Sequence, residues 1–129
     1  MEIPSSSGRY AGCDTWADVS PVFVDDGGKV TAIQYTAPQA EALSYFRAIL
    51  ASGERSERVL ELTGDMIKYN QADYTAWQVR WQCVVALSST AVEEGELAFC
   101  QAILHDNAKN YQLWNHRRKL ALRRWFHSW

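Results

Sequence analysis

The sequence predicts an all-α chain, a solenoid of antiparallel helical hairpins, and three of its features carry that expectation. Proline stands at positions 4, 21 and 38 and nowhere in the last 91 residues. A long proline-free stretch with few glycines suits helix. Apolar residues in that stretch recur at three- and four-residue intervals, the period of a helix with one buried face. Residues Asn70 to Arg80 realign on Asn107 to Arg117 at an offset of 37 residues, so the helices form a repeating unit.

Residues 1–38 read as an irregular lead-in. Ser5-Ser6-Ser7-Gly8 and Asp25-Asp26-Gly27-Gly28 are turn signals, and Val30 to Tyr35 suits one short extended piece. The helical part is 39–129. A first helix spans about 39–52, with Leu43, Phe46, Ile49 and Leu50 on one face and Gly53 as its stop. A second, about 56–69, turns Val59, Leu62, Met66 and Ile67 inward. A third, about 74–87, carries Trp77, Trp81, Val84 and Val85. A fourth, about 91–105, has Leu97, Cys100, Ile103 and Leu104 inside, and Thr90-x-x-Glu93 before it reads as a capping box. A fifth starts at Tyr111, runs to about 125 and carries Trp114, Ala121, Leu122 and Trp125. Short connections make neighbours antiparallel, giving hairpins at about 39–69 and 74–105 and a half hairpin at about 110–125.

Within the repeat, Asn, Tyr, Trp and Arg recur in register. Asp73 and Asn110 share a slot just before a helix, where their side chains can accept from free first-turn amides. Trp77 and Arg80 recur as Trp114 and Arg117, and recurrence at one slot points to stacking between hairpins, so these four are expected as core and interface residues, with Trp81 also in the core.

The 129 residues are 47% hydrophobic and 22% charged, enough for a packed core and against wholesale disorder. No run approaches the roughly 20 apolar residues of a membrane span, and Met1 to Arg9 lack the pattern of a secretory signal. Net charge is −2, but residues 1–108 hold 7 basic and all 15 acidic residues, while 109–129 hold 6 basic residues and no acid. Cys13, Cys83 and Cys100 are odd in number with no CxxC spacing, and His105, His116 and His127 match no zinc spacing with them, so reduced thiols and no metal site are expected. The basic tail, Arg117 to Lys119 and Arg123-Arg124, is not read as a nucleic-acid surface, because a charge run alone is a weak signal.

The Asn-Tyr-x-x-Trp-x-x-Arg core resembles the repeat of the protein prenyltransferase α-subunit family. Trp16 to Val22 resembles the lead-in of the branch shared by protein farnesyltransferase and geranylgeranyltransferase type I, and Tyr45 to Leu50 with Glu54 to Arg58 resemble its first hairpin. The resemblance runs from about Trp16 to about Leu122. It implies a right-handed α-solenoid that partners a β subunit in a cytoplasmic heterodimer. That enzyme transfers a farnesyl or geranylgeranyl group from its prenyl diphosphate to the cysteine of CaaX-containing proteins. It implies no cofactor on this chain, zinc on the β subunit, and magnesium in the holoenzyme.

By the same resemblance Lys109 is placed at the isoprenoid diphosphate, as the catalytic candidate. A fixed ammonium there stabilises the charge that grows on the leaving group, and the following helix start favours anions. A solvated turn lysine is the alternative. Tyr111 matches a tyrosine of that site, Gln112 a glutamine that binds the free carboxylate of the CaaX peptide, and Tyr74 a tyrosine near the peptide's last residue. An amide N–H can donate to a carboxylate. For both tyrosines packing within the repeat is the alternative. The family's usual proline before the lysine is Ala108 here, and Asp73 replaces an asparagine. The family also continues with further hairpins, so a shortened product is expected, with Trp114, Leu122 and Trp125 lacking stacking partners. The second functional reading is a non-catalytic repeat fragment that binds or competes for the β subunit.

Overall fold

The structure, a computed structural model, describes residues 9–23, 35–106 and 109–127. These form five α-helices: α1 Ala37–Ser52, α2 Glu57–Tyr69, α3 Tyr74–Leu87, α4 Thr90–Asp106 and α5 Tyr111–His127. No strand occurs among the described residues, and most of the extended piece expected at Val30 to Tyr35 lies outside them. No described helix is long and apolar enough to cross a membrane. The chain divides into two compact units, Met1–Glu54 and Arg55–Trp129.

In the first unit, α1 starts two residues before the expected position. Thr36 and Gln39 form a reciprocal capping box, and Pro38 falls inside the first turn. A proline is tolerated there because its missing N–H would have had no helical partner. Gly53 ends the helix in the left-handed region at φ 75°. Phe46 and Ile49 are buried as expected, but Leu50 faces outward, and Ala42 and Tyr45 are enclosed instead. Tyr10 and Trp16 pack on Tyr45 with ring centroids 5.3–5.8 Å apart. The Glu41 carboxylate accepts from the backbone N–H groups of Tyr10 and Ala11 at 3.2 and 2.8 Å. An aromatic cluster and a charge-assisted bond therefore tie residues 10–16 to α1.

The second unit is α2 to α5. Its contacts run in registers that reveal direction. Arg80 of α3 meets Leu60 and Thr63 of α2, and Arg55 meets Gln82, so α2 and α3 are antiparallel. Arg80 also meets Glu96 of α4, and Glu93 and Glu96 meet Arg123 and His116 of α5. Gln71 before α3 meets Asn110 before α5, and Trp77 meets His116, so α3 and α5 run parallel. Alternate helices parallel and neighbours antiparallel is the repeat-protein arrangement. All four residues expected inside α2 are buried. In α3 and α4, Trp77, Val84, Cys100 and Ile103 are buried, whereas Val85 and Leu97 are exposed.

The capping box expected at Thr90 and Glu93 is not formed. The helix begins at Thr90, the Ser89 hydroxyl accepts from the Val92 N–H at 3.4 Å, and the Glu93 carboxylate pairs with Arg123 at 3.2 Å. An arginine on a neighbouring helix is the stronger competitor for that carboxylate.

Candidate functional site

The repeat slot is best seen at its first copy. Asp73 accepts from the Ala76 N–H at 3.1 Å and so caps α3. Asn110 does the same for α5, accepting from the Leu113 N–H at 3.2 Å, and its amide donates to the Gln71 carbonyl at 2.8 Å. The Trp77 indole N–H donates to that same carbonyl at 2.9 Å. One backbone oxygen thus joins the Trp of one repeat to the cap of the next.

Deeper in, Arg80 forks the Glu96 carboxylate, Nε to Oε1 at 2.9 Å and Nη2 to Oε2 at 2.6 Å. Its Nη1 donates to the Leu60 carbonyl at 2.7 Å and to the Thr63 hydroxyl at 3.2 Å. The guanidinium lies 3.7 Å from the centre of the Phe99 ring, a close cation–π contact. Gly64 leaves room for it: a Cβ there would come within 3.1 Å of Nη1. Glu96 also receives His116 Nε2 at 2.8 Å, and the imidazole packs 5.1 Å from the Trp77 ring and edge-on to Trp81 at 5.7 Å.

Burial alone would push the Glu96 carboxyl up. The His116 hydrogen bond and the Arg80 charge outweigh it and hold the group below its ordinary value. Burial also pushes up the thiols of Cys83 and, to about 12, Cys100.

Sequence reasoning missed Glu96 and His116. The signal existed: Glu96, Cys100 and Ile103 share the 4-and-3 spacing of an inner face, and so do Leu113, His116 and Leu120, all buried.

Beside this joint lies a cleft of about 60 Å³ lined by Tyr74, Trp77, Gln78, Gln112, Asn115, His116 and Lys119. It brings together two of the expected peptide-binding residues, Tyr74 and Gln112, from α3 and α5. Three side-chain amides, a phenol and an ammonium around so small a space suit one small polar anion such as a carboxylate. Lys109 and Tyr111 do not line it. Lys109 is exposed in the turn before α5, and Tyr111 is 85% exposed. Tyr74 is 60% exposed. Each of the two tyrosines stands at the first position of its helix.

The second copy of the slot differs. Of the two tryptophans expected as core and interface residues, Trp77 is 4% exposed and enclosed, whereas Trp114 is 44% exposed. Arg117 is half-buried and lies over its own Trp114 ring at 5.2 Å. Leu122 and Trp125 are exposed on the same helix.

The family model for the protein prenyltransferase alpha subunit repeat matches residues 56–87 and 93–126, more than half of the chain. The chain belongs to the protein prenyltransferase α-subunit family. The two matched stretches are α2 with α3 and α4 with α5, so each prenyltransferase repeat here is one helical hairpin. The chain is 39% identical to the protein farnesyltransferase/geranylgeranyltransferase type-1 subunit alpha of Schizosaccharomyces pombe, over 81% of this chain and 35% of that one. It is 49% identical to the subunit of the same name from Solanum lycopersicum, over 73% of this chain and 27% of that one. Among solved structures it is similar to the Candida albicans protein geranylgeranyltransferase-I complexed with GGPP, with a TM-score of 0.72, 30% identity, and 81% of this chain and 34% of that chain covered. The chain spans about a third of the length of these relatives.

Proposed function

We propose that this chain supplies the α-subunit side of a heterodimeric CaaX prenyltransferase that moves a farnesyl or geranylgeranyl group from its diphosphate to a substrate cysteine. The observation that carries this reading is the cleft, which joins Tyr74 and Gln112, the two residues that the family resemblance assigns to the peptide. Gln112 donates an amide N–H to the peptide's terminal carboxylate, and Tyr74 stands at the rim.

Lys109, beside the start of α5, faces the diphosphate. As the prenyl carbon–oxygen bond breaks and the carbon–sulfur bond forms, negative charge grows on the departing diphosphate. The ammonium stabilises that state more than the ground state. The substrate thiol gives up its proton, and the diphosphate leaves intact.

In this reading zinc and magnesium would belong to the assembled enzyme and its β subunit, and would supply thiol activation and charge neutralisation there. Among the described residues the donor set does not suit either ion. Among the described residues no three His, Cys, Asp or Glu side chains form a cluster, and burial holds Cys83 and Cys100 protonated. The three free cysteines suit the reducing cytoplasm.

The test is co-expression with a prenyltransferase β subunit, followed by transfer of labelled farnesyl and geranylgeranyl to CaaX peptides. Copurification with transfer is expected, with Lys109→Ala lowering kcat by about 10²–10³-fold and Gln112→Ala raising the peptide KM. Failure to copurify removes the reading. A second reading, binding of the β subunit without catalysis, is favoured by the exposed stripe of α5; copurification without transfer supports it.

A further inference from the structure

The walls of the α3–α5 cleft follow one spacing on both helices. Gln112, Asn115, His116 and Lys119 share a face of α5 at three- and four-residue steps, as Tyr74, Trp77, Gln78 and Trp81 do on α3. The floor is fixed. Glu96 holds the His116 ring at 2.8 Å, Trp77 and Trp81 pack against it, and Arg80 matches the Glu96 charge behind it. The polar walls are not engaged. The amides of Gln78, Gln112 and Asn115 make no hydrogen bond among the described residues, and Lys119 makes no ion pair there. The Lys119 ammonium lies 5.9 Å from the centre of the Trp81 ring. None of the described side chains lining the cleft is acidic. Helical side chains lean toward the N-terminus of their helix, so the half-buried Lys119 stem runs back toward Asn115 and Gln112.

We propose that Lys119 is a specificity-determining residue of this cleft: it makes the site select a terminal carboxylate over an uncharged terminus of the same shape. The inference rests on the function proposed above, which puts the peptide's end at Gln112. A side-chain amide carries both a donor and an acceptor, so the three amides can satisfy a carboxylate or a carboxamide by turning over. An ammonium only donates, and it carries a full charge. It adds a charge-assisted bond to the carboxylate and none to the carboxamide, and bonds of that kind are worth about tenfold or more in affinity. At about 60 Å³ the cleft has room for a terminal group and not for a ligand's body, so the selection acts on the terminus.

Two measurements test this. In the full chain, NMR follows the side-chain amide signals of Gln78, Gln112 and Asn115 during titration with acetate and, separately, with acetamide at constant ionic strength. Acetate should reach half-saturation at a concentration about tenfold or more below acetamide. Lys119→Met keeps the aliphatic stem over Trp81 and should make the two probes alike, while Lys119→Arg should restore the preference; circular dichroism checks that both variants keep their helices. In the complex with the β subunit, a free-acid CaaX peptide should show a KM about tenfold or more below that of its C-terminally amidated form. Lys119→Met should close that gap by raising the KM of the acid. An equal response to both probes in the parent, or none, overturns the inference, as does a Lys119→Met protein that keeps the parent's acid-over-amide ratio. Absence of transfer with the acetate preference intact removes the catalytic reading instead and leaves Lys119 as the selector.

Discussion

The two copies of the repeat present the same residues in opposite states. Trp77 and Arg80 are enclosed, with every donor of the arginine head group that the fold reaches satisfied by Glu96, Leu60 and Thr63. Trp114, 37 residues on, is exposed, and the half-buried Arg117 lies over its ring. The difference teaches that burial of the slot is not written into the Trp-x-x-Arg sequence. It comes from the next hairpin, which brings a carboxylate, a ring and, through His116, a second contact to that carboxylate.

The largest effect should come from removing the shared carboxylate. Glu96→Ala strands a buried guanidinium, and breaking a buried pair in this way costs about 3–5 kcal/mol; denaturant unfolding should show that loss, whereas Arg117→Ala in the open copy should cost under ~0.5 kcal/mol. A smaller loss, about 1–3 kcal/mol, is expected for Gly64→Ala. The added methyl would gain helix propensity, but the Nη1 that it meets at 3.1 Å is held by Leu60 and Thr63 and cannot retreat. A Gly64→Ala chain as stable as the parent would show that the closed copy is looser than these distances imply.

Acid should discriminate the copies too. The folded Glu96 carboxyl titrates below its unfolded value, so its contribution is complete above the ordinary carboxylate range and fades as pH falls through the lower, folded value. Unfolding free energy measured from pH 7 down to pH 3 should decline more steeply in the parent than in Glu96→Gln. Equal slopes would mean that Glu96 carries no such linkage. The smallest effect belongs to Tyr111→Ala, within about 0.5 kcal/mol, because that ring is almost wholly exposed.

Much of this architecture was legible in the sequence, and particular residues show why. Asp73, Asn110 and Gly53 act locally, through first-turn amides and a left-handed φ, so they marked helix ends reliably. Pro38 misled because a proline that ends a helix and one that begins it look alike without the capping partner Gln39. The Thr90–Glu93 box failed because Arg123, thirty residues away, takes the carboxylate. Glu96 and His116 went unread because ionisable residues default to the surface, and only the fold reveals that each stands where an apolar residue would sit. At the cleft, nothing local to Tyr74 or Gln112 signals their proximity; the parallel pairing of α3 and α5 creates it.

The most direct test of the comparison is one pair of unfolding measurements, Trp77→Ala against Trp114→Ala. If the following hairpin is what closes the slot, the first should lose about 3–5 kcal/mol and the second under ~1 kcal/mol. Equal losses would contradict the account, since they would mean that the tryptophan stabilises each repeat from within, whatever lies against it.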